Sequence, residues 1–427
     1  MDKIRQTALL ILADIDENGA YINLLIDEKC RKEKISGRDA AFLSELVRGT
    51  VRNRGYLDYI ISRYSKIKLK KISVLIKNIL RMGLYQIFFM DKVPASAAVN
   101  ESVVLSRRYG HASSSGFVNA ILRNALRGGE ISLPDDRTEA LSVKYSYPLW
   151  MTKRFIEDFG FERAEKIMEA GNAKAETVIR VNTLKISADE LYEKLGDAAL
   201  SRDGNMITLK HSGSVSEIEG FNEGLFTVQA RPFEKTAELL EPSAGMTVLD
   251  GCAAPGGKTT YIAQLMKDKG EIFACDIYEH KLKLIEDAAD RLSLHIIKTK
   301  LHDASKTNEE LTGKCDRVLL DVPCSGTGII RRRPDIKWNR REDEDFASLQ
   351  QKILESQSKC LKAGGILIYS TCSIDKRENE YVINAFLEKN KDFKLMPFPG
   401  GEKGYKTWYP DTDKTDGAFI CRMKKDT

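Results

Sequence analysis

The chain has 427 residues, of which 42% are hydrophobic and 30% charged, with a formal net charge of +5. At roughly 100–200 residues per domain this predicts two to four domains, and the ordinary apolar-to-charged balance excludes a mostly disordered or collagen-like chain. The apolar runs Thr7–Ile15 and Ile79–Met90, the second broken by Arg81, fall short of the ~18 residues of a membrane span. Acid and base alternate at the start, unlike a secretory leader, so a cytoplasmic protein with no membrane partner is expected. None of the eight cysteines forms a C-x-x-C pair, and no two histidines stand four apart, so neither a disulfide scaffold nor a metal site is expected.

Residues 3–130 read as successive helices. Ile4, Ala8, Leu9, Ile11, Leu12 and Ile15 form one stripe of period near 3.6, and Ala41, Phe42, Leu43, Leu46 and Val47 another. The run from Ile72 to Phe88 is apolar nearly all round, which predicts a central helix. Ala95–Ser106 and Phe117–Leu126 are two more, closed by Gly128, Gly129 and Pro134. Charge is concentrated here: up to Glu130 there are 22 Lys/Arg against 13 Asp/Glu, and within Val51–Arg81 nine bases face one acid, Asp58. Such a patch commonly meets a polyanion, although a solvated helix face has the same composition.

Residues 133–220 are mixed, with helices at Leu149–Phe159, Arg163–Ala170 and Ala188–Leu195 and an alternating strand at Thr177–Asn182. From about Phe221 strand and helix alternate. Strands are expected at Met246–Asp250, Glu271–Asp276, Ile296–Lys300, Arg317–Asp321 and Ile366–Ser370, with helices Thr259–Asp268, Tyr278–Leu292 and Ala347–Leu361 between them. This grammar predicts an α/β, mainly parallel, doubly wound sheet. The expected domains are therefore 1–132 all-α, 133–220 small α+β, and 221–427 α/β.

The first α/β strand runs into a turn of small residues, Gly251, Cys252, Ala253, Ala254, Pro255, Gly256, Gly257 and Lys258. Small side chains let backbone approach a ligand, and the following helix presents free N–H groups. A triphosphate loop would need glycine where Cys252 stands, and the dinucleotide pattern G-x-G-x-x-G is not met. Asp276 ends the next strand, where a carboxylate meets ribose hydroxyls in nucleoside-binding folds.

Cys324, in Asp321-Val322-Pro323-Cys324-Ser325, and Cys372, in Ser370-Thr371-Cys372-Ser373, each follow a sheet strand on the ligand-binding edge. Cys30, Cys275, Cys315, Cys360 and Cys421 read instead as inert hydrophobic cysteines. A thiol in a nucleoside cleft suits methylation at pyrimidine C5. Thiolate addition to C6 makes C5 nucleophilic; after methyl transfer a base removes the C5 proton and the thiol leaves. Asp321 is placed to meet the N3 edge of the base.

These motifs identify residues 221–427 as resembling the RNA cytosine-C5 methyltransferases of the RsmB/NOP (Sun) family. Ile329–Trp338 is similar to the loop of the bacterial branch that acts on 16S rRNA, and residues 1–132 resemble the NusB helical domain that accompanies it. The resemblance implies a Rossmann-like class I methyltransferase domain preceded by NusB-like and small α+β domains. It implies Cys372 as nucleophile and Cys324 in product release, whereas DNA cytosine methyltransferases use a Pro-Cys cysteine to attack. Cys252, Ala253, Ala254, Pro255, Gly256, Gly257 and Lys258 would wrap S-adenosylmethionine, with Asp276 on its ribose and Asp303 on its adenine. Lys258 and Asp321 would face both methyl donor and target base. Asp416–Phe419 matches a C-terminal family motif except that Ala418 replaces an aromatic. Arg331, Arg332, Arg333, Lys337 and Trp338 would contact RNA by charge and stacking. The implied partner of a monomeric enzyme is 16S rRNA, or a small-subunit assembly intermediate, methylated at C967. A non-catalytic RNA-binding or antitermination protein, a tRNA cytosine-C5 methyltransferase and a nucleotide triphosphatase are the alternatives.

Overall fold

The computed structural model describes residues 2–129, 131–210 and 215–426. Two compact units form, one of Met1–Ala173 with Arg332–Glu342, the other of Lys174–Arg331 with Asp343–Thr427.

The first unit is helical: α1 (Lys3–Asn18), α2 (Ile22–Glu33), α3 (Gly37–Arg52), α4 (Arg54–Tyr64), α5 (Val74–Phe89), α6 (Ala95–Tyr109), α7 (Ser114–Arg127), α8 (Arg137–Tyr145), α9 (Leu149–Phe159) and α10 (Phe161–Asn172). The all-round apolar segment is central: α5 packs against α1, α3, α4, α6 and α7, with Ile79, Leu80 and Leu84 fully buried. Arg81 of α5 is buried too. Its guanidinium donates to both Asp58 oxygens at 2.6 and 2.7 Å and to Asp16 at 2.6 Å, while Arg54 reaches the other Asp16 oxygen at 3.0 Å. Two of the nine bases in the sequence patch are thus internal ion-pair partners; Lys66, Lys68, Lys70 and Lys71 remain exposed.

In the second unit β1 (Thr177–Val181), α11 (Ala188–Leu195), β2 (Ala199–Asp203), β3 (Met206–Leu209) and β4 (Phe226–Val228) build an antiparallel sheet of order β2-β3-β1-β4. After α12 (Phe233–Leu239) the chain forms β5 (Thr247–Asp250), α13 (Gly257–Leu265), β6 (Glu271–Asp276), α14 (Glu279–Leu292), β7 (Ile297–Leu301) and β8 (Cys315–Asp321). It then passes through the single turn α15 (Ile336–Asn339), which belongs to the first unit. It returns through α16 (Phe346–Gln357), β9 (Leu361–Thr371), α17 (Glu380–Lys389), β10 (Phe393–Leu395), β11 (Tyr405–Trp408) and β12 (Ala418–Lys425). The large sheet has order β10-β12-β9-β8-β5-β6-β7, with β11 also on β12. Strands β5 to β9 pair in parallel and β12 runs antiparallel to β9.

Alternation assigns successive side chains to opposite faces. Leu249, Val318, Leu320, Leu367, Tyr369, Phe419 and Cys421 enter one core cluster, while Val248, Leu319, Ile368 and Ile420 enter another. Burial on both faces is why these strands read as continuous apolar runs. Because β5 has β6 on one side and β8 on the other, the chain reverses its direction of winding there. The carboxyl ends of β5 and β8 flank the crevice where open α/β sheets bind ligands.

The structure departs from the sequence-derived boundaries. Helices α8 to α10 of the 133–220 segment group with the helical unit, whereas its strands group with the second unit and recruit β4 beyond residue 220. Helix α13 stops at Leu265 because Lys267 and Asp268 are left-handed. Leu361 is already strand, so β9 runs through Gly364 and Gly365 instead of starting after them.

Replacing Arg81 with Met leaves Asp16 and Asp58 unpaired beside the core. Arg81→Met is expected to cost about 3 kcal/mol or more, read as a lowered urea midpoint for the helical unit's transition. An unchanged midpoint contradicts the internal role.

Candidate active site

The turn after β5 is shaped by Gly256. Its φ is +99°, and a Cβ there would lie 3.2 Å from the Ile285 backbone, so only glycine fits without strain. Gly256 caps α13, leaving the helix's first N–H groups directed at the crevice. Asp250, fully buried at the end of β5, accepts a hydrogen bond from the Thr259 hydroxyl at 2.7 Å, tying the strand to the helix across the turn. Burial pushes the Asp250 carboxyl up to about 7, against the Thr259 bond and with repulsion from Asp321 adding to it.

Cys252, Ala253, Ala254, Pro255, Gly257, Lys258, Asp250 and Asp321 line one cavity, together with Gln229 and Phe233. Lys258 Nζ donates to Asp321 Oδ2 at 2.6 Å, and the Ser370 hydroxyl donates to Asp321 Oδ1 at 2.8 Å. The ammonium also lies 4.8 Å from the centroid of the Phe233 ring. Burial opposes the Lys258 charge, but Asp321, with Cys372 and Asp250 beyond it, outweighs burial and holds its pKa above the ordinary lysine value.

The parallel β8–β9 pair delivers the two cysteines to one point, where Cys324 Sγ and Cys372 Sγ are 3.1 Å apart. The hydrogen bond to Cys372, then burial, push the Cys324 thiol well above its ordinary pKa. Cys324 therefore keeps its proton. Cys372 is the less buried of the two, and either sulfur can donate in the contact. Behind them the backbone of Gly328 meets that of Gly417. Gly417 N–H donates to Gly328 O at 2.7 Å, and a Cβ on Gly328 would fall 2.3 Å from Gly417 O. The stretch from Asp416 to Phe419 is thus a backbone contact for the loop after β8, and Ala418, fully buried in β12, needs no aromatic ring there.

The comparisons with known proteins agree over the length of the chain. A family model described as 16S rRNA methyltransferase RsmB/F matches residues 237–424, the NusB family model residues 2–127, and an RsmF/B-like ferredoxin-like domain residues 147–207. A probable ribosomal RNA small subunit methyltransferase B from Bacillus subtilis (strain 168) is 36% identical over 445 residues, covering 99% of this chain and 98% of that one. The chain belongs to the RsmB/F family of 16S rRNA methyltransferases.

Among solved structures, the crystal structure of PH0851 matches this RsmB/F-family chain with a TM-score of 0.85 at 28% identity, covering 100% of this chain and 99% of that one. That of NSun6 from Pyrococcus horikoshii with SFG matches at TM-score 0.58 and 26% identity, covering 64% and 97%. The protein is accordingly an rRNA methyltransferase, with the NusB-like and methyltransferase domains that the motifs predict.

Not every sequence-derived site residue lines the cavity of this RsmB/F-family enzyme: Gly256, Cys324, Cys372, Asp276 and Asp303 are outside its lining. Asp276 and Asp303 stand at or just past the ends of β6 and β7. Asp276 Oδ1 accepts from the Tyr278 backbone at 3.1 Å, and Asp303 Oδ1 from Ser305 N and Oγ at 3.0 and 2.7 Å. The expected RNA contacts are placed differently. Arg331 is buried in the second unit, paired at 3.1 Å with fully buried Asp416. In the helical unit, Lys337 is fully buried, donating to Arg52 O at 2.7 Å and Asn172 Oδ1 at 3.0 Å. Burial lowers its pKa well below the ordinary lysine value. The Trp338 indole N–H donates to Val51 O at 2.8 Å, and its ring packs on the helical core. Arg333 is half-buried over the Tyr21 ring with Asp335 at 3.2 Å, and the half-buried Arg332 carbonyl accepts from Arg48. Arg331, Lys337 and Trp338 are therefore corrected from RNA contacts to internal supports, because their polar atoms are spent on protein partners. Cys30, read as a buried cysteine, is half-buried.

Sequence reasoning missed Gln229 and Phe233 in the cavity wall and Glu378 behind the cysteines. Glu378 lies six residues past Cys372, in the turn just before α17. Among the described residues, no cluster of three or more His, Cys, Asp or Glu is placed to hold a metal ion, and no helix is long and apolar enough to cross a membrane.

The raised Asp250 pKa makes stability depend on pH. Between about pH 4 and 7 the unfolded chain releases a proton that the folded chain keeps, so stability falls as pH rises. Asp250→Asn is expected to remove this decline, on the order of a few kcal/mol, in urea titrations at pH 4.5 and 7.5. A decline as steep as that of the wild type contradicts the assignment.

Proposed function

We propose that the enzyme methylates C5 of one cytosine of 16S rRNA, with S-adenosylmethionine as donor and a covalent adduct between Cys372 and C6 of the base. Family resemblance points to C967 as the target. The observation that carries this reading is the thiol pair, 3.1 Å apart, at the edge of a crevice that also holds the Lys258–Asp321 pair. A single acid–base pair would suffice for methylating a nucleophilic nitrogen or oxygen. Two apposed thiols match a carbon that must be activated by addition and released by elimination.

The turn residues fit a nucleoside methyl donor. Cys252–Lys258 offer small side chains and helix-terminal N–H groups, and Asp276 and Asp303 supply carboxylates for hydroxyl and amine hydrogens. The Pyrococcus horikoshii NSun6 structure contains SFG, an analogue of that donor, which supports the same use here. S-adenosylmethionine, when bound, supplies an electrophilic methyl group.

The chain's own residues do the rest. Cys372, the more exposed of the two sulfurs, attacks C6 as its thiolate, its proton passing to Asp321. Asp321, fixed by Lys258 and Ser370, faces the N3 edge, and its carboxyl, protonated in the course of addition, donates to the nitrogen that gains charge. Once C5 is methylated, its hydrogen must leave as a proton before Cys372 can be expelled. Cys324, in contact with Cys372, is placed to relay it, passing its own proton to the departing Cys372 sulfur as it takes the one from C5. Reaching a base inside structured RNA requires local unstacking.

Wild type, Cys372→Ala and Cys324→Ala are to be incubated with 16S rRNA and labelled S-adenosylmethionine. Products are read for 5-methylcytidine and for protein–RNA adduct that survives denaturation. Cys372→Ala is expected to lose both. Cys324→Ala is expected to accumulate adduct with turnover lowered at least ~100-fold, the scale of a lost acid–base group. Adduct in Cys372→Ala but not in Cys324→Ala would exchange the two roles. Absence of methyl transfer to any RNA by the wild type would overturn the reaction.

A further inference from the structure

The two thiols sit on separate loops, 48 residues apart in sequence, and neither loop is regular secondary structure at the cysteine. Strand pairing of β8 and β9 ends at Asp321–Ser370, short of both cysteines. Beyond it, Gly328 N–H donates to Cys372 O at 2.9 Å and Ile374 N–H to Thr327 Oγ1 at 3.1 Å, and one further group reaches the residues next to both sulfurs. The structure places a buried carboxylate there, Glu378, which is 4% exposed. Its Oε2 accepts the backbone N–H of Ser325, the residue after Cys324, at 2.8 Å, and the Gln350 side chain at 3.1 Å. Its Oε1 accepts the hydroxyl of Ser373, the residue after Cys372, at 2.9 Å. Having donated to Glu378, the Ser373 oxygen is left to accept from Ser325 Oγ at 3.1 Å.

Glu378 is itself anchored. Its carbonyl accepts from the Tyr369 hydroxyl at 2.6 Å, and the next residue, Asn379, bonds Thr371 Oγ1 at 2.7 Å and Ser373 O at 2.9 Å. A buried carboxylate is costly unless several donors converge on it. Here the donors belong to the two cysteine loops, so satisfying the carboxylate and registering the loops are one requirement.

We infer that Glu378 is a positioning residue for the thiol pair: by accepting hydrogen bonds from both loops, it sets the separation of Cys324 and Cys372. The catalytic consequence rests on the proposed cysteine chemistry; the geometric one does not. Without the carboxylate, the Ser325 N–H and Ser373 hydroxyl lose their common acceptor, and the bonds from Gly328 N–H to Cys372 O and from Ile374 N–H to Thr327 Oγ1 remain as looser links between the loops. Proton removal, which needs Cys324 held against the adduct formed by Cys372, suffers most. Positioning errors near 1 Å cost roughly 100-fold in rate.

The test uses full-length wild type, Glu378→Ala and Glu378→Gln. The first readout is independent of methylation: the rate at which diamide closes a Cys324–Cys372 disulfide, two thiol hydrogens passing to the azo bond, followed by peptide mass spectrometry. The second is turnover and denaturation-resistant adduct on 16S rRNA. The third is the melting temperature with and without S-adenosylmethionine, together with its KM. Glu378→Ala is expected to close the disulfide several-fold more slowly, to lower kcat at least ~10-fold with adduct accumulating, and to keep the donor's KM and thermal shift. Glu378→Gln, which retains one acceptor oxygen, is expected to fall between. If Glu378→Ala does not fold, Glu378→Gln carries the same comparison at smaller amplitude.

Wild-type closure and turnover in the variants would overturn the inference. So would loss of the donor's thermal shift along with thiol closure, because the carboxylate would then support the whole site and not the pair. Slowed closure in the variants with no methyl transfer by the wild type would uphold the positioning role and refute the proposed reaction instead.

Discussion

The ion pair between Lys258 and Asp321 is the interaction on which the site depends. Its two ends come from the turn after β5 and the tip of β8, and Ser370 of β9 donates to its free oxygen. Three adjacent parallel strands are thus tied at their carboxyl ends by one charged contact. Such a pair is a poor source of stability, since desolvating two charges offsets most of their attraction. Its value is in orientation: it fixes a carboxylate and an ammonium in a wall that otherwise consists of small residues and backbone. Asp250, one strand-end away, shows the same environment from the other side. Without a cation of its own in hydrogen-bond contact, its carboxyl is driven up by burial, whereas Lys258 stays charged because Asp321 is beside it.

The ion pair organises the Gly-rich-turn side of the crevice, and neutral hydrogen bonds and bare backbone organise the thiol side. Gly328 and Gly417 approach closely enough that any side chain on Gly328 would displace the other strand's backbone. That contact brings the segment before β12 against the loop after β8. Arg180 plays a comparable part behind the Gly-rich turn. It is fully buried on β1, donating to Gly257 O at 2.9 Å and Thr260 Oγ1 at 3.2 Å, with its guanidinium over the Tyr261 ring. Burial lowers its pKa to about 9. The small antiparallel sheet therefore buttresses the first turn of α13, which gives it a mechanical reason to precede the α/β sheet in sequence.

What was legible in the sequence follows from the range of the forces involved. The parallel strands were readable because burial on both faces leaves an unbroken apolar run. The Gly-rich turn was readable because a left-handed residue and a close backbone approach demand specific small residues in consecutive positions. Cys324 and Cys372 were readable as a pair because each follows a strand, and strand ends converge. The short strands β2, β3, β4, β10 and β11 were not readable. They are three to five residues long, and β2 is mostly exposed. Their existence is decided by tertiary pairing, which leaves little periodicity to detect. Gln229 was missed for the same reason, its partner Arg180 lying 49 residues away; Glu378 has one partner near in sequence, Ser373, but its link to Ser325 spans 53 residues.

Charge was the least transferable signal. Counting bases identified a cationic stretch in the helical unit, and the resemblance added Arg331, Arg332, Arg333 and Lys337 as RNA contacts. What a count does not contain is direction. Arg81 points into two carboxylates, Arg331 into Asp416, and Lys337 into a carbonyl and an amide. A side chain long enough to reach a phosphate is equally long enough to reach back into its own fold, and it does so wherever a buried acceptor would otherwise go unpaired. The carbonyls of Val51 and Arg52, at the end of α3, are such acceptors, the last in a helix having no partner within it. Trp338 and Lys337 supply the donors. The tryptophan and lysine that composition offers as a stacking surface for RNA are thereby accounted for as the C-terminal cap of a helix. The bases that remain free of such internal demands, Lys66, Lys68, Lys70 and Lys71, are exposed on the NusB-like unit.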